Sequence, residues 1–163
     1  NIKRLNRKDV TKINLASAYL QRASLIGVNL NEANLVAANL QDAILNSANL
    51  NKANLSSTNL EKAELLGTQL DEAHLFRAIL IETQLQGASF KHANLGLANL
   101  TNASLDAANL SDADLSRTIL NGTYLLGANI ANTKFKGATY NQETIWPEGF
   151  DPKAAGAILV ERK

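Results

Sequence analysis

Few residues in this chain could carry chemistry. It has two histidines, His74 and His92, and no cysteine. Without cysteine there is neither a disulfide nor a thiolate ligand for a metal. Glu72 lies twenty residues before His92 and two before His74. A fold repeating every twenty residues would bring these three side chains to one corner, as a three-ligand metal site requires. The favoured reading is a solvated polar corner, because nothing in the surrounding sequence encloses it. Serine and threonine are plentiful, yet neither histidine has the Ser/His/Asp grouping of a nucleophilic triad. No G-x-x-x-x-G-K-[ST] or G-x-G-x-x-G segment occurs, so no phosphate cradle is expected. Catalytic, cofactor-binding and metal-binding residues are all expected to be absent, and the chain reads as a non-enzyme.

The elements that would position any site come from a repeat of five. Every fifth residue from Leu15 to Leu125 is Leu, except Phe90, and the series runs on through Ile130, Phe135, Tyr140, Ile145 and Phe150. Two residues before each centre from Leu20 to Tyr140 stands a small residue, usually Ala, sometimes Thr and once Val. Between the two lies a polar residue, often Asn, as in ANLNKANL from Ala48 to Leu55. A helix advances about 100° per residue, so a period of five makes no stripe along it. A continuous strand alternates its faces, so an odd period would place half the leucines in water. One bend per repeat remains. A short extended piece points the Ala and the Leu inward and the middle residue outward. The last two positions then form a corner, and they are rich in turn formers such as Ser56-Ser57, Gly67 and Asn121-Gly122. Corners of one hand close the chain into a polygon whose coils stack about 4.8 Å apart.

These residues resemble the pentapeptide-repeat family, whose pattern is A-(N/D)-L-x-x, over about residues 12–140. The resemblance implies an all-β fold, a right-handed quadrilateral β-helix with four units per coil. The core stack is then Leu15, Leu35, Leu55, Leu75, Leu95, Leu115 and Phe135. Residues 1–10 are read as a lead-in or cap carrying Lys3, Arg4, Arg7 and Lys8, residues 11–145 as the solenoid, and 146–163 as a C-terminal cap. Asp151 followed by Pro152 has the form of an N-cap and first helical residue. A short capping helix is therefore expected from about Pro152 to Val160, with Trp146, Phe150 and Ile158 closing the end. Similar tails occur in bacterial, especially cyanobacterial, members. A capped rod hides its edges and is expected to be monomeric.

The outer surface can be read in columns of residues twenty apart. Glu32, Lys52, Glu72, His92 and Asp112 form one corner column, and Arg22, Asp42, Lys62, Glu82 and Asn102 another. Their alternating signs suit neighbours that avoid like charge. One side carries Ile26, Ile44, Leu66, Tyr124 and Leu126 beside a column of Gly27, Gly67, Gly87 and Gly127. A second spot gathers Phe76, Ile79 and Ile81, with Leu97 in the next coil. Two readings stand open: a contact surface, or glycines at corners of positive φ covered by neighbouring leucines.

The chain has 163 residues and a formal net charge of +1. Its apolar runs, such as Ala157–Val160, are far below the roughly 20 residues a membrane span needs. A soluble protein without membrane insertion is expected, cytoplasmic by default. The chain lacks an initiator Met, so an exported or lumenal mature form stays open. The leading functional reading is a structural scaffold that offers flat walls to a protein partner. The alternative comes from members of the family that resemble a DNA duplex and bind DNA gyrase. Those are strongly acidic rods, whereas residues 11–140 carry nine Lys/Arg against ten Asp/Glu. Direct nucleic-acid binding is not expected from so little net charge. Leu75→Asp tests the inward assignment. It should bury an unpaired carboxylate and abolish cooperative folding, and a variant that melts like the parent would overturn the assignment.

Overall fold

The backbone hydrogen bonds show how a five-residue unit becomes one side of a coil. The computed structural model describes residues 6–161. In each unit the centre's C=O accepts from the N–H three residues on, as in Ala18 to Leu15 at 3.0 Å. Of the two residues inside that turn, the second has positive φ: Ser17 at 56°, Arg22 at 57°, Gly27 at 60°. Positive φ at that position alone is the type II pattern. It recurs every fifth residue to Gly137, whatever the side chain. Glycine therefore does not mark special corners here, because Arg, Glu and Leu take the same conformation.

Four such sides make a coil, since single residues pair in parallel twenty apart, as Asn14 with Asn34 and Asn34 with Asn54. Leu15 N–H donates to Asn34 C=O at 2.7 Å, Asn34 N–H to Ile13 C=O at 2.9 Å, and Ser17 N–H to Val36 C=O at 2.8 Å. These and the turn bond use four of the five donors in a unit. The fifth, on the first corner residue, is met by the middle Asn. Asn54 Oδ1 accepts from Ser56 N–H at 3.1 Å, and Asn34 serves Val36 likewise at 3.1 Å. This two-residue loop is an Asx turn. Where the middle residue is not Asn or Asp, a corner side chain one coil earlier can serve: Asn46 accepts from Leu66 N–H at 2.9 Å, and Asp106 from Leu126 N–H at 2.9 Å.

Inside, the stack of Leu35, Leu55, Leu75, Leu95 and Leu115 has no solvent exposure, with Leu15 and Phe135 buried at its ends. Threonine replaces the small Ala without leaving an orphan hydroxyl. Thr58, Thr68 and Thr83 each donate to a centre's C=O twenty-three residues back, at 2.7, 3.0 and 2.9 Å. At the N-terminal end, Lys3 and Arg4 lie outside the described residues, while Asp9 already pairs with Asn29.

The C-terminal end departs from the expectation in two ways. No residue from 152 to 160 is helical. Asp151 Oδ1 does accept from Lys153 N–H at 3.0 Å and Ala154 N–H at 3.1 Å, which begins a turn. Gly156, at φ 85°, ends it at once, as a left-handed glycine does. The chain then turns extended. Strand β1, Thr139–Tyr140, receives β2, Ile158–Leu159, in parallel register. The open edge of the last coil needs backbone partners, which a strand supplies and a helix does not. Ile158 points outward and is 53% exposed, and it is Ala157 that is buried. The second departure is a one-residue shift. Tyr124 pairs with Ile145, twenty-one residues on, so Ile145 faces out as a middle residue and Trp146 takes the inward place. Trp146 meets Phe135, Tyr140 and Phe150 with ring centroids 5.4, 5.4 and 5.1 Å away. This aromatic cluster, rather than a helix, covers the core.

Two substitutions test the Asx turns. Asn54→Ala strips Ser56 N–H of its acceptor and should cost about 1 kcal/mol, read as a lower urea midpoint at unchanged slope. Asp114 plays the same part for Ser116 N–H at 2.9 Å. Partial burial pushes its carboxyl up, but hydrogen bonds from the Ser116 side chain and backbone, with the Lys134 charge, outweigh that and hold it below the usual carboxylate range. A depressed carboxyl stabilises the fold above its unfolded pKa, about 3.9, and that contribution is lost as pH falls through the folded value. Asp114→Asn should therefore flatten the acid limb of a melting-temperature profile while leaving neutral pH little changed. An unaltered limb would contradict the linkage.

Candidate interaction surface

Each five-residue unit exposes one middle residue and two corner residues, so the rod is covered by side chains set in columns one coil apart. Most of these are polar. The apolar exceptions concentrate beside the corner of Phe76 and Arg77. Phe76 lies over the next coil at Gly96, where an added Cβ would stand 3.5 Å from its Cδ2. That contact buries Gly96 yet leaves Phe76 39% exposed. The Arg77 guanidinium carbon sits 5.4 Å from the Phe76 ring centroid, within cation–π range. Leu97 occupies the same corner one coil on and is exposed. Ile79 faces outward on the adjoining side, and Ile81, at the following corner, is partly covered.

Ile119 belongs with this group and was missed by reading the sequence. It shares the column of Ile79, with Asn99 paired between them, and is equally exposed. Its position forty residues after Ile79 was the available signal. Arg117 likewise follows Arg77 by two coils at the same corner, with Leu97 between. Neither arginine has a carboxylate within 4.0 Å among the described residues, where the ion pairs are Lys12–Glu32, Lys62–Glu61 and Lys62–Glu82. The result is a spot of isoleucine, leucine and phenylalanine edged by two unpaired cations.

The other apolar group is not contiguous. Ile44 and Tyr124 stand in one column but are separated by Glu64, Gln84 and Ser104. Leu66 and Leu126 are parted in the same way by Gln86 and Asp106. His74 is a middle residue paired with Asn54 and Asn94, whereas Glu72 and His92 are corner residues. Among the described residues no three His, Asp or Glu side chains converge to hold a metal. No described helix is long and apolar enough to cross a membrane. A shallow, open groove of about 400 Å³ at the C-terminal end is lined by Asn141, Gln142, Glu143, Val160 and Glu161.

The charges are unevenly placed along the rod. From Glu32 to Asp114 there are ten carboxylates and four Lys/Arg, whereas residues 1–22 hold six Lys/Arg and one Asp. The near-neutral total therefore conceals an acidic middle.

Comparison with known proteins agrees with this architecture. A family model described as pentapeptide repeat region matches residues 5–75, and one described as pentapeptide repeats (8 copies) matches residues 78–117 and 108–139. No match to a curated protein sequence is significant. Among solved structures, the pentapeptide repeat protein Rfr23 from the cyanobacterium Cyanothece 51142 is 36% identical, with a TM-score of 0.58 over 59% of this chain and 65% of that one. This chain thus spans just under two thirds of the length of Rfr23. HetL, from the cyanobacterium Nostoc sp. strain PCC 7120 and involved in heterocyst differentiation regulation, is 24% identical, with a TM-score of 0.69 over 95% of this chain and 85% of that one. QnrB1, a plasmid-mediated fluoroquinolone resistance protein, is 16% identical, with a TM-score of 0.77 over 96% of this chain and 84% of that one. The last two likenesses are of fold alone. With its repeats matched almost from end to end and its coils built from them, the chain belongs to the pentapeptide-repeat family.

Proposed function

We propose that this chain, wound right-handed as its family implies, is a non-enzymatic scaffold that binds a protein partner through the wall around Phe76. The observation that carries this reading is the grouping of exposed Phe76, Ile79, Leu97 and Ile119 within neighbouring coils on adjoining sides of one corner. Grouped apolar exposure of that kind favours a contact surface over chance. The unpaired Arg77 and Arg117 at its border suit a partner face that is apolar with carboxylates at its rim, where complementary charge sets orientation and on-rate. The described walls of the rod are convex, which suits binding across a face more than catalysis in a cleft. The aromatic end and the β2 strand favour a monomer, with residues 1–10, 11–145 and 146–163 as lead-in, solenoid and cap. A soluble protein, cytoplasmic unless it has been exported, suits this role.

A second reading is favoured by one feature. Glu32 to Asp114 spans four coil steps, about 20 Å at the strand spacing. That exceeds a Debye length of about 8 Å, so the basic residues near the N-terminus, of which Lys12 pairs with Glu32, do not cancel the field of the far end of the acidic middle. An acidic rod segment could occupy a DNA-binding groove, the gyrase-binding mode that other members of the family suggest.

Quantitative pull-down separates the walls. Phe76→Glu and Leu97→Glu should lose the partners that wild type retains, while Leu66→Glu keeps them. Retention by all three variants would remove the Phe76 wall from consideration. A gyrase supercoiling assay addresses the second reading, for which inhibition at micromolar protein is the expected outcome and unaltered supercoiling excludes it.

A further inference from the structure

The chain contains a single Asn-Gly dipeptide, Asn121–Gly122. In such a pair the glycine peptide nitrogen can attack the asparagine side-chain carbonyl carbon, unhindered by a Cβ. A bond forms between Gly122 N and Asn121 Cγ, the Cγ–Nδ2 bond breaks, the peptide nitrogen gives up its proton and ammonia leaves. Water then opens the cyclic imide at either carbonyl, giving aspartate or isoaspartate.

Glycine at the second position leaves the attacking nitrogen unhindered, although other corners of this fold carry larger residues in the same conformation. Gly122 has φ 64°, and a Cβ built on it would require the Asn102 side chain, whose Oδ1 lies there, to move aside. The fold restrains the reaction. In the corners from Arg7 to Arg117, the second residue's N–H donates to a backbone C=O nineteen residues on, as Asn102 does to Asn121 at 2.9 Å. The one-residue shift near the C-terminus disrupts that bond for Gly122. Its N–H donates instead to the Asn141 side chain, Oδ1, at 2.9 Å. The same oxygen accepts from Glu143 N–H at 3.1 Å, while the Thr144 hydroxyl donates to Leu120 C=O at 2.8 Å. Gly122 is thereby buried, and its nitrogen is committed to Asn141. The electrophile is restrained too. Asn121 Oδ1 is buried with no protein donor among the described residues, so no protein group there would stabilise the negative charge that develops on it during attack.

We infer that Asn121 is a spontaneous modification site gated by the C-terminal cap. It is closed while Asn141 holds the Gly122 N–H and reactive when the cap opens and admits water. The product adds a carboxylate at residue 121, in the corner that the cap covers. The isoaspartate form also adds a backbone carbon to a corner whose register the next coil depends on. The cap thus works as a one-way, age-dependent switch, whatever partner the walls bind.

The test is peptide mapping by mass spectrometry after warm, mildly alkaline incubation of the whole chain. Wild type should be modified at Asn121 far more slowly folded than in concentrated urea. Asn141→Ala, with its circular-dichroism spectrum retained, should be modified about tenfold faster than wild type, the factor expected for one lost hydrogen bond of about 1.4 kcal/mol. Equal rates for folded and unfolded wild type, or for the folded variant and wild type, would overturn the inference. If the variant does not fold, hydrogen exchange decides. Exchange at the Gly122 amide and modification of Asn121 should rise together in wild type across urea concentrations below the unfolding midpoint. Exchange that rises without modification would equally overturn it.

Discussion

A left-handed residue once in every five is the constraint on which this molecule rests. Twenty-one non-glycine residues among those described have positive φ, including Arg77, Glu82 and Leu97. An L-residue in that region costs roughly 1–2 kcal/mol, and an isolated repeat has nothing to set against it. Stacking supplies the offset. Each unit gains backbone bonds to the coils on either side and buries an Ala and a Leu in a shared core. Neighbour contacts of this kind make stability a property of the array rather than of one repeat. The middle Asn completes the scheme, because the corner leaves one donor that only a short acceptor side chain two residues back, or one coil away, can reach.

This geometry separates fold from function. Inward positions accept little besides Leu, Ala and a Thr whose hydroxyl can reach a carbonyl. Outward positions are free of the core, so columns can carry any chemistry the corner backbone tolerates. Phe76 shows how far that freedom goes. Its ring lies across Gly96 of the next coil, and the Arg77 guanidinium sits over the ring. Charge is distributed with the same freedom. Total charge misleads for a rod longer than the screening length, since an acidic middle and a basic beginning act on a partner separately.

The C-terminal end shows how a solenoid stops. A single extra residue moves Ile145 out and Trp146 in, and Asn141 replaces the missing backbone acceptor with its side chain. The aromatic cluster then covers the core, and β2 occupies the exposed edge. Core and edge are separate problems at such an end, and this chain meets them with separate elements. The same arrangement places a reactive dipeptide under the control of the cap.

The sequence alone determined the bend in every repeat, the inward leucines and the direction of Phe76, Ile79 and Leu97, because a period of five admits no regular helix or strand. It also placed Trp146 and Phe150 at the closing end. Tertiary structure decided what depends on neighbours a coil away. Asp151-Pro152 reads locally as a helix start and does begin a turn, but the unpaired edge at Thr139–Tyr140 draws Ile158–Leu159 into a strand. Ile145 keeps the five-residue count and is nevertheless outside, because register is set by which backbone groups meet across coils and not by spacing along the chain. For the same reason Ile44 and Tyr124 share a side with three residues between them, while Ile119 and Ile79 share one with only Asn99 between.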